Sequence, residues 1–254
     1  MRIFVDIDDA LCLDYFEAMS IKAQAIIYVT LNGRNRCTLA FIKACKDYDI
    51  ALIGDQAQSF GSNTPDFSIN SYSFSMPKII TMGQGGCLTT NDDVLAKKIK
   101  YLKDHGRDSG GNDIHNYFGI NSKITDLQAI VGLEQIKDIR WRVKIKKEIY
   151  GLYYSLLKDI KEIEFIPTDL DFVTPWFVDL YVNKRDGLIK FLKENGIGTR
   201  KIYPVIPHQK VYNTKESFPV AEKYSNKGLW LPSSLNLTGI QIDYICNKIK
   251  EFYK

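Results

Sequence analysis

The sequence predicts an α/β fold with a largely parallel sheet in its first half. Short apolar or β-branched runs alternate there with segments of helical periodicity, and after about residue 140 that rhythm changes. The strand candidates are "RIFVDI" (residues 2–7), "AIIYVTL" (25–31), "IALIGD" (50–55), "FSINSYSFS" (67–75) and "GCLTT" (86–90). Between them, "TLAFIKACKDYD" (38–49) and "DDVLAKKIKYLKDHG" (92–106) read as helices, the second opened by acids and closed by glycine. Two further helices are expected at 124–139 and 143–160, then a strand at "TPWFVDLYV" (174–182), a helix at 185–196 and a terminal amphipathic helix at 240–254. The expected organisation is a sheet-bearing domain over residues 1–140 and a smaller α+β domain over 141–254.

Composition limits the function classes. The chain has 254 residues, 45% hydrophobic and 25% charged, which is ordinary for a globular protein with a substantial core. The first residues lack a signal peptide's basic region and apolar run, and no stretch approaches ~20 uninterrupted apolar residues, so a cytoplasmic protein without membrane contact is expected. Five cysteines form no close pair, which argues against both a disulfide framework and a zinc knuckle. The net charge is only +4, and the densest basic run, "KDIRWRVKIKK" (137–147), reads as a solvated helix face rather than a nucleic-acid patch.

Two constellations could carry chemistry. Asp6 and Asp8 follow an apolar run in the manner of an Asp-x-Asp phosphatase, but Asp9 stands where a small residue is needed and no later acidic pair completes a magnesium site. Turn residues are the simpler reading of those acids. The second constellation is Asp55, at the end of "IALIGD", with Lys78 in "SYSFSMPKIITMGQGG" (71–86). Open α/β sheets place ligands beyond the C-terminal ends of their strands. A lysine amine kept partly neutral by apolar surroundings can form a Schiff base with an aldehyde, and a pyridine-ring cofactor needs a carboxylate at its ring nitrogen. Gly83, Gly85 and Gly86 would let the chain turn tightly behind the lysine.

The segments "GDQAQSFGS", "SYSFSMPKIITMGQGG", "YFGINSKITDLQAIVGLEQI" and "FPVAEKYSNKGLWLPSSLNLT" resemble successive signatures of the DegT/DnrJ/EryC1/StrS family of pyridoxal-phosphate-dependent nucleotide-sugar aminotransferases. Within that family, "TLNGR" (30–34), "TPWFVDLYV" and "GIGTRKIYPVIPHQ" (196–209) are most similar to the GDP-perosamine synthase group. The resemblance implies the aspartate-aminotransferase-like fold type I of pyridoxal 5'-phosphate (PLP) enzymes. It makes Lys78 the lysine that carries PLP and moves protons, and Asp55 the partner of the pyridinium nitrogen. Gln58 would lie by the ring hydroxyl, Ser73 would bond the phosphate, and Asn121 would reach the neighbouring subunit's site in a homodimer with shared active sites. His208 would face the sugar pocket. The implied reaction moves an amino group from glutamate to a 4-keto-6-deoxy nucleotide sugar, for surface polysaccharide synthesis of the O-antigen type. Related sugar dehydratases carry histidine at the position of Lys78, so the lysine implies transamination rather than loss of a hydroxyl.

The sequence departs from the family pattern at its start, where a phosphate-gripping turn at a helix N-terminus and a ring-stacking aromatic are expected. An N-terminally incomplete fold is the expectation, with three readings: a fragment, a split enzyme whose partner chain supplies that segment, or a protein that has lost catalysis.

Overall fold

The computed structural model describes residues 2–108, 113–212 and 214–254. Four strands, β1 (Ala25–Val29), β2 (Ala51–Asp55), β3 (Ile69–Ser73) and β4 (Gly86–Thr89), form the first sheet in that order. β1, β2 and β3 run parallel, and β4 pairs antiparallel with β3. Val29 lies opposite Asp55 and Asp55 opposite Ser71, so the C-terminal ends of the three parallel strands share one edge.

Alternation decides which face of this sheet is covered. Ile26 and Tyr28 of β1 point into a core with Leu52, Phe67, and Phe41 and Cys45 of helix α2 (Leu39–Asp47), while Ile27 and Val29 stay exposed. α2 starts where the Thr38 hydroxyl accepts the Phe41 N–H, a side-chain cap. α1 (Tyr15–Ser20) is capped in the same way by Asp14. α3 (Asp93–Leu102) and α4 (Asp126–Ile136) bury none of their residues, and α4 leaves Leu127, Ile130 and Leu133 open to solvent.

The second sheet is antiparallel throughout: β5 (Ile163–Phe165), β6 (Val178–Val182), β7 (Arg200–Lys201) and β8 (Gly228–Leu231), in the order β5-β6-β8-β7. The long helix α5 (Ile139–Leu157), α6 (Arg185–Glu194) and α8 (Gly239–Phe252) pack on it. Tyr153, Leu157, Leu180, Leu188, Leu192, Leu229, Ile242 and Ile249 are fully buried in that core. A further helix, α7 (Pro219–Lys227), leads into β8.

The N-terminal run differs from its expected strand. Among residues 2–7 only Ile7 makes a bridge, to Leu13. Asp8 turns the chain back by accepting the Ala10 and Cys12 N–H groups, each at 2.9 Å. Asp6 accepts the Val220 and Ala221 N–H groups at 2.9 Å each, which satisfies the first turn of α7, whose own N-cap, Phe218, has no side-chain oxygen to do so. Both acids are therefore turn and cap residues, in agreement with the simpler reading. Among the described residues no cluster of His, Cys, Asp or Glu could hold a metal ion, and no helix is long and apolar enough to cross a membrane.

Candidate active site

Asp55 ends β2 on the edge shared by the parallel strands. Its backbone carbonyl accepts both the N–H (3.0 Å) and the hydroxyl (3.2 Å) of Thr30, just past the end of β1. One carboxylate oxygen accepts the Ala57 N–H at 3.1 Å, which fixes the side chain and leaves its other oxygen available to a ligand.

Lys78 sits in the loop that joins β3 to β4. Phe74 donates its N–H to the Gly85 carbonyl and Met82 donates to the Phe74 carbonyl, each at 2.9 Å, closing the loop at its base. Gly83 and Gly85 have φ of +81° and +145°, and a Cβ on Gly86 would stand 2.3 Å from the Tyr72 carbonyl oxygen, so the tight turn behind the lysine does require glycine. The Lys78 Nζ lies 3.9 Å from the ring centroid of Trp176. Burial holds the Lys78 ammonium below the ordinary lysine range, and the nearby Asp55 carboxylate opposes that shift. Ser73 ends β3 and its hydroxyl is 3.2 Å from that of Ser75, so two hydroxyls stand together before the lysine.

Gln58 is held from two sides. Its side-chain carbonyl accepts the Asn32 N–H at 3.0 Å, and its amide donates to the Tyr203 hydroxyl at 3.1 Å. Asn32 is itself a fixed point: it has φ +54°, is completely buried, and exchanges hydrogen bonds with both backbone groups of Phe177 at 2.9 and 3.0 Å. Its amide also reaches Asp179 of β6, which accepts a forked pair of bonds from the buried guanidinium of Arg34. Desolvation would lower the Arg34 pKa, but the Asp179 carboxylate more than offsets it, and the guanidinium stays charged. This cluster ties the turn after β1 to the second sheet and thereby orients Gln58.

The basic run 137–147 keeps the expected solvated face at Lys137, Arg140 and Lys144, but Arg142 and Lys146 turn inward. Arg142 donates to the Ile79 carbonyl at 3.1 Å, next to Lys78, and the buried Lys146 donates to the carbonyls of Trp176 and Ser233 at 2.6 Å each. Basic residues with apolar neighbours at helical spacing can turn inward once backbone carbonyls meet them, and that pairing cannot be read from α5 alone. Burial pushes Lys146 down to about 8. Since the folded value lies below that of the unfolded lysine, stability is expected to rise as pH increases from about 8 toward 10, where the unfolded chain still binds the proton. Chemical denaturation at stepped pH checks this, and Lys146→Met is expected to flatten the rise.

Asp55, Gln58 and Ser73 thus stand at the C-terminal ends of the parallel strands with Lys78 in the loop beyond, while the other two expected site residues make their contacts with other parts of the chain. His208 hydrogen-bonds the Glu216 carbonyl at 2.9 Å and packs near Phe218, within its own loop. Asn121 is exposed and bridges Asp104 through its backbone. Trp176 and Tyr203 were not singled out in the sequence, although both fall in segments that carry the family resemblance. A better signal was Asp179: an acid in a strand whose five residues are all buried must meet a cation, here Arg34.

Comparison with known proteins decides the family. The family model described as "DegT/DnrJ/EryC1/StrS aminotransferase family" matches residues 2–250. The chain belongs to that family. Among relatives of this aminotransferase, a GDP-perosamine synthase from Vibrio cholerae is 28% identical over 91% of this chain and 67% of its own length. A "pleiotropic regulatory protein" from Geobacillus stearothermophilus is 32% identical over 99% of this chain and 72% of its own. The solved structure of ntda from Bacillus subtilis with bound cofactor pmp has a TM-score of 0.90 at 24% identity, covering 99% of this chain and 62% of that one. That likeness shows the fold: this is a PLP enzyme fold of type I.

The cofactor of this aminotransferase is PLP. The residues present fit it. An amine held below its ordinary range, a carboxylate with one free oxygen and a pair of hydroxyls stand on one edge, matching the aldehyde, ring nitrogen and phosphate of that molecule.

Proposed function

We propose that this aminotransferase acts on a nucleotide-linked 4-keto-6-deoxy sugar, with glutamate as the amino donor, in the synthesis of a surface polysaccharide. The observation that carries the reading is the partly desolvated Lys78 amine beside Asp55, at the C-terminal edge of parallel strands. The sugar class rests on relatives such as the Vibrio cholerae GDP-perosamine synthase.

In this reading Lys78 holds PLP, Asp55 faces the ring nitrogen, Gln58 the ring hydroxyl, and Ser73 the phosphate. Bound PLP supplies an aldehyde that condenses with amines and a ring that withdraws electrons from the attached carbon. Asp55, as a carboxylate, keeps a proton on that ring nitrogen and so strengthens the withdrawal. Lys78 Nζ takes the proton from the α-carbon of glutamate and later delivers one to C4 of the sugar. Its depressed pKa leaves more neutral amine at physiological pH than an exposed lysine has. His208, held to the Glu216 carbonyl through one ring nitrogen, would face the sugar.

The test is direct. The chain, PLP, glutamate and a GDP-4-keto-6-deoxyhexose are incubated together, and the sugar product is weighed by mass spectrometry. Replacement of the keto oxygen by an amine, with formation of 2-oxoglutarate, is expected. Loss of a hydroxyl instead would overturn the reading.

The working unit in this proposal is a homodimer in which Asn121 serves the partner's site. The exposed Leu127, Ile130 and Leu133 of α4 support an apolar contact of that kind. Sedimentation velocity is expected to show a dimer that Leu133→Asp shifts toward monomer. Residues 1–140 would form the cofactor domain and 141–254 the small domain, supported by the packing of α5 on the second sheet.

A further inference from the structure

We propose that Trp176 is a positioning residue for Lys78, its indole face being the docking surface for the lysine amine whenever that amine is not joined to the cofactor. The inference rests on the reading of Lys78 as the cofactor lysine. Four contacts carry it. The Lys78 Nζ stands 3.9 Å from the indole centroid, well inside the distance at which an ammonium is drawn to an aromatic quadrupole, and tryptophan is the strongest such ring. The indole N–H donates to the carbonyl of Pro77 at 2.5 Å, so the ring is fastened to the residue before the lysine it receives. The Trp176 carbonyl accepts from the buried Lys146, at 2.6 Å, which fixes the backbone that carries the ring. The neighbouring Phe177 is held through both its backbone groups by Asn32.

The backbone that carries the ring is therefore anchored independently of the lysine, and the indole N–H then sets the ring against the lysine's own loop. The charged groups around Lys78 are few. Asp55 faces it from the end of β2 and favours the ammonium; Arg142 and Lys146 of α5 are engaged with the carbonyls of Ile79 and Trp176. Against burial, the indole face and Asp55 keep the unlinked amine near the sheet edge instead of free in solvent. A lysine of four flexible methylenes would otherwise lose its place each time it is released.

The test uses the cofactor-free chain. Trace acetylation of Lys78 with acetic anhydride is followed by peptide mass spectrometry from pH 6 to 11 in wild type, Trp176→Phe and Trp176→Leu. Both variants lack the indole N–H bond to Pro77, so the difference between them reads the aromatic face alone. Trp176→Leu is expected to lower the midpoint for Lys78 by about one pH unit, a roughly tenfold rise in neutral amine at pH 7, with Trp176→Phe recovering about half of that shift. Circular dichroism and the thermal midpoint confirm that each variant is folded. Identical midpoints in the Leu and Phe variants would overturn the inference. Borohydride reduction of the PLP-loaded wild type, with mapping of the labelled peptide, separates the two ideas: label on a lysine other than Lys78 overturns the cofactor assignment and this inference together, whereas label on Lys78 with unchanged midpoints overturns the inference alone.

Discussion

Replacing Lys78 by alanine is expected to abolish the visible band that PLP gives with the wild-type chain and to lower transamination by at least ~10³-fold. Among the described residues, Lys78 is the amine that the fold sets against Asp55 and Trp176. Lys78→Arg is expected to fail as completely, because a guanidinium stays protonated and cannot condense with an aldehyde. Attachment of the cofactor requires the neutral amine. Its rate is therefore expected to climb with pH and to level off below the usual lysine range, since burial lowers the Lys78 pKa. Stopped-flow absorbance after mixing the cofactor-free chain with PLP measures that profile. A band of undiminished height in Lys78→Ala would remove the lysine from its central role.

The second large effect is on stability. Asp179→Ala is expected to destabilise the fold by about 3–5 kcal/mol, because it leaves the fully buried Arg34 guanidinium without its counter-charge and strips the Asn32 amide of a partner. In a chain of this length that corresponds to a fall of roughly 6–10 °C in the thermal midpoint. Arg34→Met combined with Asp179→Leu is expected to recover most of the loss, since a hydrophobic pair of similar size needs no charge compensation. The site should report on the same change. Asn32 presents its N–H to Gln58, so Asp179→Ala is also expected to shift the absorbance of bound PLP, whereas a purely distant loss of stability would not. Calorimetry and spectra of the two variants decide both points.

Much of the fold was legible because periodicity is a local property. The apolar runs that became β1 and β2 and the amphipathic stretches that became α2, α5 and α6 each reveal their own buried face. What was missed depends on partners far along the chain. "RIFVDI" has strand composition, yet Asp8 binds two nearby N–H groups and turns the chain before a ladder can form. "GLWL" was not identified as a strand, because four residues buried on every side carry no alternation. At the site, Asp55 and Lys78 could be paired in advance through chemistry that needs both an amine and an acid. Trp176 and Tyr203 could not, since their roles come from where β6 and β7 of the second sheet bring them to the first. The inward turn of Arg142 and Lys146 was hidden for the same reason: a carbonyl that will accept a hydrogen bond leaves no mark in the sequence of its donor.

The Asp6 cap on α7 also bears on the order of events during synthesis. The two ends of that contact are 214 residues apart, so the carboxylate emerges from the ribosome long before the N–H groups it will serve. At ~5–20 residues per second the delay is on the order of 10–40 s. Throughout it the first turn of α7 does not exist, and the segment around Asp6 has no lasting tertiary anchor at that end. The contact has to be among the late closures of folding, because its loop entropy is repaid only after the second sheet is assembled. A nascent chain halted before residue 219 should therefore show its opening residues open to proteolysis even where the β1–β3 core resists cleavage.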